Sequence, residues 1–418
     1  MVGIESTAFD EWVDERVTEQ IRLGEIDFGS LVCHLPGVYP SDVRGSLDRL
    51  SVRDTSLNGH PQALIQSSRT SRSPQAWGSV ALGLLHPHPL DFEWRFHRQA
   101  VDVLADRCNR MTGPSEHVAL VATPTLAMTP EAIFGGRPVT YVGADTTLLA
   151  RSAWPQHIRA VRNADLLERS SHASKYGVVI MDPPWYDEHL RRFLWFAASC
   201  TRMHGVLLLA MPAIGTRPGI LDEHVRNREW CSRLGFVVEQ VEHGALAYET
   251  PLFERNALRA AGILNTPPDW RRGDLWTLRK VKPNRGTWPG DLHRTPWFEH
   301  RFGHVRLRID RGAADQGSDP VLLPIVPGDV LPTVSRRDLR RGHARVWTTG
   351  NRIFGCDAPE KLGSILDDWQ TGLTTVAVDD AVRRGVIDQV GEILEVEGNE
   401  IDSPNTKCTT AAAQGCAG

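Results

Sequence analysis

The chain lacks any pair of cysteines placed to grip a metal. Its seven cysteines stand apart at 33, 108, 200, 231, 356, 408 and 416, with no Cys-x-x-Cys and no histidine at zinc-ligand spacing. That argues against a disulfide framework and against a structural zinc, and points to a reducing compartment. No apolar run approaches the length of a membrane span, and the opening MVGIESTAFDEWVDERV has no apolar centre of signal-peptide length. A cytoplasmic protein without a membrane partner is the expectation. Neither charge sign is in large excess. A formal net charge of −4 over 418 residues gives no global case for nucleic acid, so any such case rests on local patches. No internal repeat is present.

What is there divides into four stretches. Residues 1–75 read as short helices. FGSLVCHLPGVYPSDVRGSLDRL suggests two of them around a turn at Gly37–Pro40, with Ser41 as N-cap and Val43, Leu47 and Leu50 facing inward. Leu50–Val52 and Ala63–Gln66 could supply the two strands of a wing, giving a winged-helix-like domain. A plain helical cap is the alternative. The stretch SSRTSRSPQAWGS with the following HPHP reads as a linker. Residues 76–282 alternate strand-like and helix-like segments: HVALVA, VTYVGAD, GVVIMD, GVLLLAMP, FVVEQVEH and DLWTLRKV, separated by amphipathic helices. DFEWRFHRQAVDVLADRC is taken as the first of these helices. The alternation implies a mostly parallel sheet covered on both faces. Residues 283–395 read as an α+β region, and 396–418 as a disordered tail with too little apolar content to pack.

One segment carries chemistry. In YGVVIMDPPWYDEHLRRF a buried strand stops on Asp182-Pro183-Pro184-Trp185, where nothing can continue the ladder. Ligand sites of open α/β sheets lie beyond the carboxyl ends of the strands, where Asp182 falls. The prolines fix φ and aim their carbonyls. A carboxylate, a carbonyl and an aromatic ring together suit an exocyclic amine on a planar ring. Two acceptors would take its two N–H groups and leave the lone pair directed at an electrophile. A plain turn, with Trp185 packed inside, is the structural alternative.

These residues resemble the Asp/Asn/Ser-Pro-Pro-aromatic tetrad of class I S-adenosylmethionine-dependent methyltransferases that act on amino nitrogens of adenine or cytosine. The resemblance implies a Rossmann-like class I sheet and S-adenosyl-L-methionine as cofactor. It implies Asp182, Pro183, Pro184 and Trp185 as the catalytic segment. In that family the first strand ends in a glycine-rich turn against the cofactor. Here Ala122, Thr123, Pro124 and Thr125 occupy it, a departure from the pattern, although these residues are small enough to admit the methionine portion. Asp145, ending the second strand, would accept from the ribose hydroxyls, and Asp165 in RNADLLER would reach the adenine amine. Either could equally be a helix N-cap. Tyr186 adjoins the tetrad, while Arg95 in DFEWRF and Tyr248, placed just beyond the sixth strand, are candidates to line the substrate pocket.

The acceptor is less legible. Between Arg259 and Arg311 twelve Lys/Arg stand against five Asp/Glu, interleaved with Trp270, Trp276, Trp288 and Trp297. SRRDLRRGHAR (335–345) adds a second basic run, expected on one helix. Basic and aromatic residues together suit phosphate contact and base stacking, so a nucleic acid, DNA rather than RNA, is the expected partner. A solvated face with structural tryptophans is the alternative. Two other functions stay open. Branched-chain polyamine synthases also carry a winged helix and an Asp-Pro-Pro-aromatic tetrad, but their first-strand loop is acidic and ATPTLAM has no acid. A non-catalytic nucleic-acid-binding protein on a degenerate methyltransferase fold is the third reading.

Overall fold

The computed structural model describes residues 2–25, 27–53, 55–69, 84–129, 134–143, 158–161, 176–290, 297–312, 319–373 and 378–402. The chain forms two compact units. The first comprises Met1–Leu84, Trp94–Thr250 and Leu264–Leu292, and the second Leu85–Glu93, Pro251–Ile263 and His293–Gly418. The N-terminal helices thus share a unit with the large sheet.

Those helices are α1 (Val2–Arg22), α2 (Phe28–His34), α3 (Pro40–Arg53) and α4 (His60–Arg69). Asp27 caps α2, its carboxylate accepting from the Ser30 amide at 3.0 Å. In α3 the buried Val43, Leu47 and Leu50 recur at helical spacing, as expected, although the helix opens on Pro40 rather than after Ser41. The two wing strands are not formed. Leu50–Val52 continues α3 and Ala63–Gln66 lies within α4. In each case the apolar residue belongs to a stripe of helical period running beyond the short run that suggested a strand.

Among the described residues the sheet has eight strands: β1 (Arg95–Phe96), β2 (Val118–Val121), β3 (Val139–Val142), β4 (Arg159–Val161), β5 (Tyr176–Met181), β6 (Thr201–Pro212), β7 (Phe236–Glu249) and β8 (Arg272–Lys280). Their spatial order is β1-β7-β8-β6-β5-β2-β3-β4. Pairings from β4 through β6 are parallel, while β8 runs antiparallel to both β6 and β7. This is a doubly wound Rossmann-like sheet with two reversed strands, β8 and the short edge strand β1. Strand β4 had no counterpart in the sequence reading. DFEWRF does not begin a helix. Its last two residues form β1 on the edge of β7, and helix α5 (Arg98–Met111) starts after His97, whose ring accepts from the Gln99 amide at 3.4 Å.

Both faces are covered because the central strands are apolar on both sides. Val179 and Met181 face one core with Leu190, Phe193 and Leu194 of helix Asp187–Cys200 and Cys231 of helix Ile220–Arg233. Val178 and Ile180 face the other, with Ala100, Val101, Leu104 and Cys108 of α5. An unbroken apolar strand is what two covered faces require.

Among its described residues the second unit carries five antiparallel strands, Trp297–Phe302, Val305–Asp310, Leu323–Pro324, Val346–Thr348 and Ile353–Gly355. Leu307, Ile309, Val346 and Phe354 pack on Leu362, Ile365 and Leu366 of helix Pro359–Thr371 and on Val386 and Val390 of helix Asp380–Asp402. Two expectations fail here. The run 335–345 is not a helix but holds only the 3-10 turn Leu339–His343. The tail beginning at 396 is helical through Asp402, with Glu397 and Ile401 buried.

Candidate functional site

The sheet reverses direction of winding at β2, which has β3 on one side and β5 on the other. Val121 is in register with both Val142 and Met181. The residues that follow are therefore neighbours: the Asp182 amide donates to the Val121 carbonyl at 3.1 Å, and the Ala122 amide to the Val142 carbonyl at 2.8 Å. A switch point of this kind is where such sheets bind ligands. The tetrad and the small-residue turn meet there.

In the tetrad the backbone is nearly accounted for. The Tyr186 amide donates to the Pro184 carbonyl at 2.8 Å, closing the turn before helix Asp187–Cys200. Arg217 Nη2 donates to the Trp185 carbonyl at 2.7 Å. No described residue donates to the Pro183 carbonyl. The side chain of Asp182 is oriented by Tyr248, whose hydroxyl donates to Asp182 Oδ1 at 2.9 Å. Burial, and then the Asp182 charge, hold the Tyr248 phenol well above its ordinary pKa, so it stays a donor. Tyr248 is therefore no pocket rim. It lies within β7, next to its last residue, is 1% exposed, and acts on the site through Asp182.

Trp185 is half-buried rather than an open plate. The Tyr248 ring meets it edge-on at 5.5 Å, and the Arg271 guanidinium lies 5.3 Å from its centroid. Arg271 also stacks on Trp94 at 4.1 Å. Gly273 makes room for both rings. A Cβ there would fall 3.1 Å from Trp185 Cζ2 and from Tyr248 Cε2, so a close approach, not backbone freedom, requires glycine. The Trp185 indole N–H is buried with no partner among the described residues.

The turn after β2 bends without a glycine. Ala122 takes φ 53°, the left-handed conformation for which glycine is usual. Thr123 and Thr125 are 1% and 2% exposed, yet neither hydroxyl has a partner among the described residues. Pro124 opens the four-residue helix Pro124–Ala127 (α6). Asp145 and Asp165 lie outside the described residues. Arg95 sits on β1 opposite Glu249, one residue from Phe96, which pairs with Tyr248. Tyr186 precedes the helix that follows the tetrad and is half-buried beside His189.

Part of the basic and aromatic run is interior or paired within its own unit. Trp270 and Trp276 are 1% and 0% exposed, in the interior. Arg306 and Arg308 are held by Asp91 and Glu299 in the second unit. Three residues that matter were not singled out: Arg217, Arg271 and Gly273. Only the Trp-Arg-Arg-Gly sequence before β8 hinted at the last two, and it was counted as charge.

No protein-family model matches the chain, and no curated protein matches it in sequence. Solved structures do. The Thermus thermophilus branched-chain polyamine synthase, in complex with N4-aminopropylspermidine and 5′-methylthioadenosine, is 16% identical over 67% of this chain and 92% of its own, with a TM-score of 0.44. Its C9 mutein gives 15% identity and a TM-score of 0.46 over the same shares. The antibiotic-resistance methyltransferase Kmr is 13% identical over 42% of this chain and 93% of its own, with a TM-score of 0.28. The fold rests on the strand order itself. Among the described residues no helix is long and apolar enough to cross a membrane.

Proposed function

We propose that the chain is an S-adenosylmethionine-dependent N-methyltransferase whose acceptor is an exocyclic amine on a planar ring, N6 of adenine in nucleic acid, with DNA preferred over RNA. One observation carries the reading. At the switch point an oriented carboxylate, Asp182, adjoins a Pro183 carbonyl that no described donor uses.

The turn after β2 fits the cofactor. Its first four residues, Ala122 to Thr125, are small, its backbone bend is one normally reserved for glycine, and two buried hydroxyls have no partner among the described residues. When bound, S-adenosylmethionine supplies an electrophilic methyl group on a sulfonium. Thr123 and Thr125 would hydrogen-bond it. Asp182 and the Pro183 carbonyl would each take one N–H of the acceptor amine, which leaves the nitrogen lone pair facing the methyl carbon. Transfer would form the N–C bond at the expense of the cofactor's C–S bond, and the extra proton on the nitrogen would then pass to solvent. Tyr248 keeps Asp182 turned toward the amine.

The test is transfer of a tritiated methyl group from S-adenosylmethionine to DNA, RNA and free nucleosides, with spermidine plus decarboxylated cofactor in parallel. Label in N6-methyladenine supports the reading. Aminopropyl transfer to spermidine would replace it with the polyamine reading, and cofactor binding without any transfer would leave a non-catalytic protein.

A further inference from the structure

Arg217 stands outside every motif of the sequence, yet it touches the tetrad. It follows the turn Ile214–Thr216 at the carboxyl end of β6, on the same sheet edge as Asp182. Its Nη2 donates to the Trp185 carbonyl at 2.7 Å, and its guanidinium is held by Glu223 of helix Ile220–Arg233. Both side chains of that pair are about four-fifths buried, with 20% and 19% of their surface exposed. The turn that delivers Arg217 is itself seated by the N-terminal helices. Gly37 takes φ 89°, and a Cβ there would lie 2.7 Å from the Ala213 Cβ. A Cβ on Gly215 would lie 2.6 Å from Val38 Cγ2 and 3.2 Å from both the Pro36 carbonyl and the Trp12 ring. Two glycines at one interface leave no slack between the 36–38 turn and the 213–216 turn.

We propose that Arg217 is a positioning residue for the acceptor amine, set in place by the Pro36–Val38 turn of the N-terminal segment. The reason lies in the carbonyls of the tetrad. Pro184's is taken by the Tyr186 amide and Trp185's by Arg217, which leaves Pro183's as the open one. Without Arg217 the Trp185 carbonyl loses its donor, and the peptide planes on either side are free to tilt. The Pro183 carbonyl and the Trp185 ring then lose their fixed aim. The N-terminal helices, on this view, are part of the acceptor site and not a separate appendage.

This rests on the tetrad as the acceptor site, so the experiment has one arm that needs no activity. Hydrogen exchange is followed in the full chain for wild type, Arg217→Ala, Arg217→Lys and Gly37→Ala. Arg217→Ala should speed exchange of the Tyr186, His189 and Leu190 amides at least tenfold while β5 amides (176–181) stay protected. Arg217→Lys should restore part of that protection, and Gly37→Ala should show the same local pattern more weakly. In the kinetic arm, Arg217→Ala should lower kcat about 10- to 100-fold, the scale of losing one charge-assisted hydrogen bond, with cofactor Kd unchanged. Unchanged exchange at 186–190, or exchange raised equally across the sheet, would overturn the proposal, because Arg217 would then be idle or merely structural. Should Arg217→Ala fail to fold, Glu223→Gln, which loosens the guanidinium without removing it, is read by the same local-versus-global criterion. If wild type transfers nothing to any acceptor, the function falls, and the exchange arm still decides whether Arg217 fixes the tetrad.

Discussion

Two turns lie side by side at the switch point of the sheet, and they are built in opposite ways. The turn after β5 is rigid without a ligand. Two prolines fix its backbone, Tyr248 holds its carboxylate, and internal donors take two of its carbonyls. The turn after β2 is unfinished. It bends through an alanine in the left-handed region and buries two hydroxyls for which the described protein offers no partner. A buried hydroxyl left unpaired costs about 1–3 kcal/mol. The difference teaches a division of labour: one side is rigid before anything binds, and the other is finished by what binds. Substitutions after β5 should therefore change the rate, and those after β2 the cofactor affinity.

The largest effect is expected from Asp182→Ala. Losing a charge aimed at the reacting nitrogen should lower kcat by about 10²–10³ or more, on the scale of removing one preorganised electrostatic partner. Cofactor Kd, read by calorimetry, should stay within a factor of about two. If the two quantities fell together, the turns would not be independent. Tyr248→Phe should cost less, about tenfold in kcat for one hydrogen bond of about 1.4 kcal/mol. It also has a pH signature. The folded-state pKa of Tyr248 is raised, so above the ordinary tyrosine range the unfolded chain has released a proton that the folded chain keeps. Stability then falls as pH rises beyond about 10, and below that Tyr248 contributes no slope. Thermal melting of Tyr248→Phe should lack that alkaline decline. An unchanged decline would mean that another group produces it.

The sequence made the first of these turns legible and the second only in part. Asp-Pro-Pro-Trp announces itself because proline and a strand end are local facts. All six expected strands recur, three of them within a residue or two at both ends, since apolar runs bounded by polar turns need no long-range information. The left-handed bend at Ala122 is invisible in the sequence because alanine does not advertise it and no glycine stands there. Tyr248 was placed one step too late, on the pocket rim, because β7 runs on to Glu249 through the polar residues Glu242 and His243. Wing strands were read into α3 and α4 because three or four apolar residues have no period of their own. Arg217 and Arg271 could not be found from spacing. Each reaches the tetrad across a different strand, and only the strand order brings them there.

On the side of the cofactor, Thr123→Val and Thr125→Val sharpen the comparison because their two effects have opposite signs. Without cofactor the double variant should be as stable as wild type or more so, since two unpaired hydroxyls are replaced by methyl groups of similar volume. With cofactor, Kd should rise by about tenfold for each hydrogen bond lost, and the cofactor-induced rise in Tm should shrink accordingly. A variant that is less stable and binds as well as wild type would show that these hydroxyls already have internal partners, which would make the turn after β2 as self-sufficient as the one after β5.

The smallest effect, Ala122→Gly, tests the bend itself. Glycine in place of alanine within a strand or helix lowers stability by about 0.5–1 kcal/mol, because the unfolded chain gains freedom. At Ala122 the native φ of 53° adds a second contribution of the other sign. An L-residue held in that conformation costs about 1–2 kcal/mol, which glycine avoids. The two nearly offset, with a small remainder in favour of glycine, so Tm should stay level or rise by about 1–3 °C. Ala122→Val should move Tm down clearly, since a β-branched side chain tolerates the left-handed region worst. The comparison between the two variants is more telling than either alone. If glycine and valine both lower Tm by similar amounts, the turn is not bent through a positive φ, and the argument that a small residue stands in for glycine there fails with it.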